Sequence, residues 1–134
     1  MIVLGVDPGT QKAGLAVLGA PADAAPLWLG IVPLAELLER VAAVCAQFGV
    51  SAIALGQGTH AGTVAQMLER IRVPVHFVDE RETTLLARAL YFADHPPRGW
   101  RRLLPLGMQL PPRPIDDYAA LLIARRYVRQ LSGG

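Results

Sequence analysis

One cysteine, Cys45, stands in a chain of 134 residues, so no internal disulfide can form and a cytoplasmic location is expected. Lysine is almost missing as well: Lys12 is the only one, and every other strongly basic side chain is an arginine. No apolar run approaches the ~20 residues of a membrane-spanning helix, so no membrane partner is expected. The first residues read directly as a strand, with no basic segment and no small-residue cleavage site, and no signal peptide is expected. There is no internal repeat, which excludes a repeat array.

Apolar residues, by contrast, make up 52% of the chain. That is enough for one sizeable core, and 1–134 reads as a single domain. The net charge of +2 hides an asymmetry. Residues 1–87 carry five basic and eight acidic side chains, a net of −3, whereas residues 88–134 carry eight arginines and three aspartates, a net of +5. A basic C-terminal third suits a polyanion such as nucleic acid. A solvated helix face explains the same charge equally well.

The apolar pattern predicts strands at Ile2 to Val6, Ala13 to Leu18 and Leu27 to Val32, joined by short loops into an antiparallel meander. Pro33 suits the first position of a helix whose stripe is Leu34, Leu37, Leu38, Val41, Val44, Cys45 and Phe48, ended by Gly49. Cys45 lies on that stripe and reads as core. Ser51 to Leu55 and Pro74 to Val78 read as buried strands, with a helix over Thr63 to Arg72 between them. Thr83 or Thr84 caps a helix to about Ala93, and Asp116 opens the last helix. A meander followed by two crossovers predicts an α/β fold: a mixed five-stranded sheet with helices on both faces and the fourth strand beside the first. Asp7 then lies near the carboxyl end of a central strand, where open α/β sheets bind ligands.

Three acidic positions stand out. Asp7 ends the first strand, within GVDPGTQKAGLAV. Asp79 and Glu80 end the fifth, and Asp116 and Asp117 open the last helix. Each alone has an ordinary explanation: a turn, a surface ion cluster, a helix start. Together, on elements that meet at one sheet edge, they predict a carboxylate cluster. Such clusters repel unless cations lie between them, and hard oxygen donors favour Mg²⁺ or Mn²⁺. One or two such ions would suit phosphodiester hydrolysis.

GVDPGTQKAGLAV, VDERETT and IDDYAALLIARRYV, in this order, resemble the YqgF family of RuvC-like nucleases, in the ribonuclease H-like superfamily. The opening motif is Asp7-Pro8-Gly9-Thr10, Lys12 and Gly14-Leu15-Ala16-Val17. The middle one is Asp79, Glu80, Arg81, Thr83 and Thr84, and the closing one is Asp116, Ala119 and Ala120. The resemblance implies a ribonuclease H-like fold and a metal-dependent nuclease, with Asp7, Glu80 and Asp116 as catalytic, metal-binding carboxylates. Asp117 is implied as a neighbouring second group or cap. Lys12 is implied as a phosphate contact, and Arg81 either as another or as the group that holds Glu80 in place. The sequence departs from the family at Gly56-Gln57-Gly58-Thr59-His60, where RuvC resolvases place a carboxylate and Gln57 has no charge. His60 carries only a weak suggestion of a base or ligand. A second departure is the stretch 95–114, with Arg98, Arg101, Arg102 and Arg113 around Trp100. Arginines that pair with phosphates beside an indole that stacks on a base make a candidate nucleic-acid flap. A Pro-rich connection packing Trp100 onto the core is the equal alternative.

The expected activity is therefore trimming of a ribosomal RNA precursor, with RNA ahead of DNA as partner on family grounds. Cleavage of Holliday junctions is the nearest alternative, and it calls for a homodimer where the trimming reading allows a monomer. A catalytically weak nucleic-acid-binding module is the rival from another class, supported by Gln57. Sugar-kinase or actin-like ATPases, which also use D-x-G-T, need two such domains and a longer chain.

Overall fold

The computed structural model describes residues 1–79, 83–96, 99, 103–105, 111 and 114–132. Five strands form one sheet in the order β3-β2-β1-β4-β5. β1 (Ile2–Pro8) and β2 (Lys12–Gly19) pair antiparallel, and β3 (Trp28–Pro33) continues the meander outside β2. β4 (Ala52–Gly56) runs parallel to β1, and β5 (Val75–Val78) runs parallel to β4. This is the expected mixed α/β sheet, with the fourth strand beside the first.

The strands run further than the apolar pattern suggests, so the hairpin between β1 and β2 is tight. Gly9 N–H donates to the Lys12 carbonyl at 3.0 Å. A Cβ at Gly9 would stand 2.6 Å from that same oxygen, which is why the turn takes glycine.

Side chains alternate along each strand, and the two faces of this sheet are unlike. Leu4, Val6, Leu15, Val17, Ile53 and Leu55 point one way, against α1 (Leu37–Phe48) and α2 (Ala61–Leu68). Each fully buried leucine there contributes roughly 2 kcal/mol. The other face is built from smaller groups, including Ala16, Ala52, Ala54 and two glycines, and it carries α4 (Asp116–Ser132). The helix answers with small residues of its own, Ala120 and Ala124. A Cβ at Gly5 would be driven into the Ala120 carbonyl oxygen and meet Ala124 Cβ at 3.0 Å. A Cβ at Gly14 would be driven into the Asp116 carbonyl oxygen. α3 (Thr83–Asp94) packs on α4 through Ala87, Tyr91, Tyr118 and Ala119, and Tyr118 Oη donates to Asp94 Oδ2 at 3.0 Å.

Several local expectations change. Pro33 is not the first residue of α1. It ends β3, opposite Lys12, and caps a 3₁₀ turn at Leu34–Glu36 before α1 begins. Its fixed φ suits an extended strand end as well as a helix start. α2 stops at Leu68, and Glu69–Ile71 tighten into a 3₁₀ turn that ends at Arg72 with φ 63°. β5 is an edge strand, so His76 and Phe77 are exposed rather than buried. Gly49 closes α1 as expected, in the left-handed region at φ 66°. Cys45 is core, and burial pushes its thiol pKa up, away from reactivity.

Replacing Gly5 with alanine forces helix and sheet apart. Urea denaturation of Gly5→Ala is expected to show a loss of about 2–3 kcal/mol. A midpoint unchanged from the parent would mean that α4 does not rest on that glycine.

Candidate functional site

β1 brings Asp7 onto the α4 face, two residues beyond Gly5. Asp7 pairs in register with Gly14, and Gly14 has no side chain to hold α4 away. The main chain of Asp116 therefore rests on Gly14. The first turn of α4 sits over the β1–β2 pair, beside Asp7. Directly opposed residues of antiparallel strands stand only about 5 Å apart. Two acids from opposite ends of the chain are brought to one place, at the carboxyl end of β1.

Lys12 opens β2 two residues before Gly14, so it faces the same way. Its Nζ lies 3.8 Å from Asp116 Oδ2, and both side chains are partly exposed. Such a loose, wet ion pair adds little stability. Asp117 differs: it is only 6% exposed, and its Oδ1 accepts the Tyr118 N–H at 3.0 Å. A carboxylate in the first turn also sits well against the helix dipole.

The third acidic position follows β5. Gln57 N–H donates to the Val78 carbonyl at 2.8 Å, so the ends of β4 and β5 stay together. Arg126 Nη1 donates to the Asp79 carbonyl at 2.6 Å. One residue on, the Tyr127 ring stacks on His76 with centroids 5.1 Å apart. The C-terminal half of α4 thus holds the end of β5, while its N-terminus rests on Gly14, the register partner of Asp7. Glu80 and Arg81 come directly after Asp79 and lie outside the described residues. So do Arg98, Trp100, Arg101, Arg102 and Arg113.

Among the described residues, no group of three or more His, Cys, Asp or Glu side chains could hold a metal ion. Asp7 and Asp116 supply two hard oxygen donors, and an ammonium already sits near one of them. That donor chemistry fits Mg²⁺ or Mn²⁺. Gln57 is exposed after β4, and His60 precedes α2 without capping it.

Part of the positive charge of the C-terminal third is internal. Arg125 Nη2 donates to the Ala24 carbonyl at 3.1 Å, tying the β2–β3 loop to α4. Burial, with Arg129 nearby, pushes the Arg125 pKa down, while Asp23 and Asp94 oppose that shift. Arg126 is committed to Asp79. For these two arginines, clamping the fold accounts for the charge.

Two solved structures align along the full chain. RuvC of Thermus thermophilus matches with a TM-score of 0.65 at 22% identity, covering 100% of this chain and 97% of that one. The chain has the RuvC-like, ribonuclease H-like fold. T. thermophilus RuvC in complex with a Holliday junction substrate matches with a TM-score of 0.64 at 23% identity, over 99% of this chain and 97% of that one. No protein-family model and no curated protein matches the sequence. No described helix is long and apolar enough to cross a membrane.

In the RuvC-like frame, three contributors escaped sequence reasoning. Gly5 and Gly14 had a signal: a glycine inside a strand often marks a close backbone approach. Arg126 had none, because its partner is a main-chain carbonyl.

Arg126→Met removes a charged donor from the Asp79 carbonyl. A loss of about 2 kcal/mol is expected in urea denaturation, with faster hydrogen exchange at the amides of β5. Unaltered protection there would show that Arg126 does not hold the strand.

Proposed function

We propose that this chain is a divalent-metal-dependent nuclease acting on branched DNA of the four-way-junction type, with 1–134 as one nuclease unit. The observation that carries the reading is the seating of α4 on Gly14, which puts Asp116 beside Asp7 at the carboxyl end of β1. The full-length likeness to RuvC supports it, and one of those neighbours was solved with a Holliday junction. That likeness favours branched DNA over the ribosomal RNA precursor expected from the YqgF resemblance.

Asp7, Glu80 and Asp116 are the residues that would hold one or two Mg²⁺ or Mn²⁺ ions. When bound, such ions lower the pKa of a water and neutralise the leaving oxygen of a phosphodiester. The chain's own part is to bring the carboxylates together and to present positive charge to the backbone. Lys12 stands at the site for that purpose, and Arg81, Arg98, Arg101 and Arg102 with Trp100 extend the proposed contact surface. A symmetric junction needs two cuts, so the active species is a homodimer with one site in each copy.

The test is a panel of four-way DNA junction, linear duplex and structured RNA, each with and without Mn²⁺. Paired, metal-dependent nicks in the junction are expected. Asp7→Asn should lower the rate by at least about 10³-fold, because a carboxylate that would hold the metal is lost, with an unchanged thermal melt. Full activity in that variant overturns the site. Cleavage of RNA with an intact junction returns the substrate to the RNA reading, which rests on the YqgF resemblance of the three motifs together. Binding without cleavage of any substrate favours the silent nucleic-acid-binding module.

A further inference from the structure

We propose that Lys12 is the resident counter-ion of Asp116 in the metal-free protein, and that a divalent cation binding at Asp116 must displace it. The inference rests on reading Asp116 as a metal ligand, and it adds a device to that site: metal entry frees the ammonium for a phosphate.

The main chain around Lys12 is held from two sides. Its carbonyl accepts the Gly9 N–H at 3.0 Å, and the neighbouring Gln11 carbonyl accepts the Leu34 N–H at 2.9 Å. Only the four-carbon stem can swing. The strand register aims that stem at the face where α4 begins. A helix N-terminus carries partial positive charge and disfavours an ammonium, unless a carboxylate outweighs it. Asp117 is buried and bonded to the Tyr118 N–H, so the exposed Asp116 is the carboxylate on which Lys12 settles.

The pair is built to exchange. Its 3.8 Å separation is well beyond the ~2.7–2.9 Å of a tight charge-assisted bond. The two side chains are 45% and 36% exposed, so an aqueous ion has access. An ammonium and a divalent ion cannot both neutralise the same carboxylate at full strength, because each repels the other. Displaced from Asp116, the Lys12 ammonium is a mobile point charge beside the site, which suits a phosphate oxygen. Metal occupancy and phosphate affinity are then coupled, and by linkage each strengthens the other.

The experiment is calorimetric titration with Mn²⁺ alone, without nucleic acid, on the parent protein, Lys12→Met, Lys12→Arg and Asp116→Asn. Removing a unit charge about 4 Å from the ligand is expected to tighten Mn²⁺ binding about tenfold in Lys12→Met. Lys12→Arg keeps the charge, and its affinity should stay within about twofold of the parent. Asp116→Asn should bind most weakly. Thermal melts without metal check that each variant is folded, and Lys12→Gln repeats the charge removal should the methionine variant fail that check. If the parent binds Mn²⁺, Asp116→Asn does not, and neutralising Lys12 leaves the affinity unchanged or lower, the counter-ion idea is overturned while the metal site stands. If neither the parent nor Lys12→Met binds Mn²⁺, or Asp116→Asn binds as well as the parent, the metal reading fails and takes this proposal with it.

Discussion

A helix backbone comes down onto the sheet at two glycines, with no room for a side chain at either. α4 lies on the sheet with the Ala120 carbonyl against Gly5 and the Asp116 carbonyl against Gly14. Protein interiors are packed too densely to absorb an added methyl group where main chain already touches main chain. The contact fixes the height of α4 over the sheet, and at Gly14 it also fixes where the helix begins. With no side chain at Gly14, the first turn of α4 comes down over the β1–β2 pair, where Asp7 is the register partner of Gly14. The start of α4 is placed by a packing solution.

That solution explains why the two faces of the sheet differ. The α1–α2 face takes leucine, isoleucine and valine and sets its helices off by whole side chains. The α4 face mixes glycine and alanine with Val3, Leu18 and Val78, so that the helix comes down close to the sheet. Specific contacts also run along α4. Tyr118 bonds Asp94, Arg125 bonds the Ala24 carbonyl, Arg126 bonds the Asp79 carbonyl, and Tyr127 stacks on His76. One helix thus touches the β2–β3 loop, α3 and the end of the edge strand β5, while its first turn carries Asp116 and Asp117 over the β1–β2 pair. Charged residues that look from composition like a nucleic-acid surface are here partly internal clamps.

Electrostatics at the site separates two neighbouring aspartates by exposure. Asp117 is turned inward to the start of its own helix, where backbone N–H groups stabilise a negative charge. Asp116 faces water and the only lysine of the chain. The identical side chain is buried in one place and partly exposed to water in the next, and a rotation of one helical step decides which.

Strand order and the elements carrying the acids were legible in the sequence, because hydrophobic periodicity and the connection rules of α/β sheets are local or generic. So was the core role of Cys45, which sits on a helical stripe. Periodicity could not tell that β5 is half exposed, since edge position depends on which strands pair. It could not tell that Pro33 belongs to β3, since one φ value suits both a strand end and a helix start. Nor could it say which of Asp116 and Asp117 faces outward, or which arginines reach main-chain carbonyls. Those outcomes depend on the height and rotation of α4 over the sheet, and only contact between residues far apart in the chain sets them.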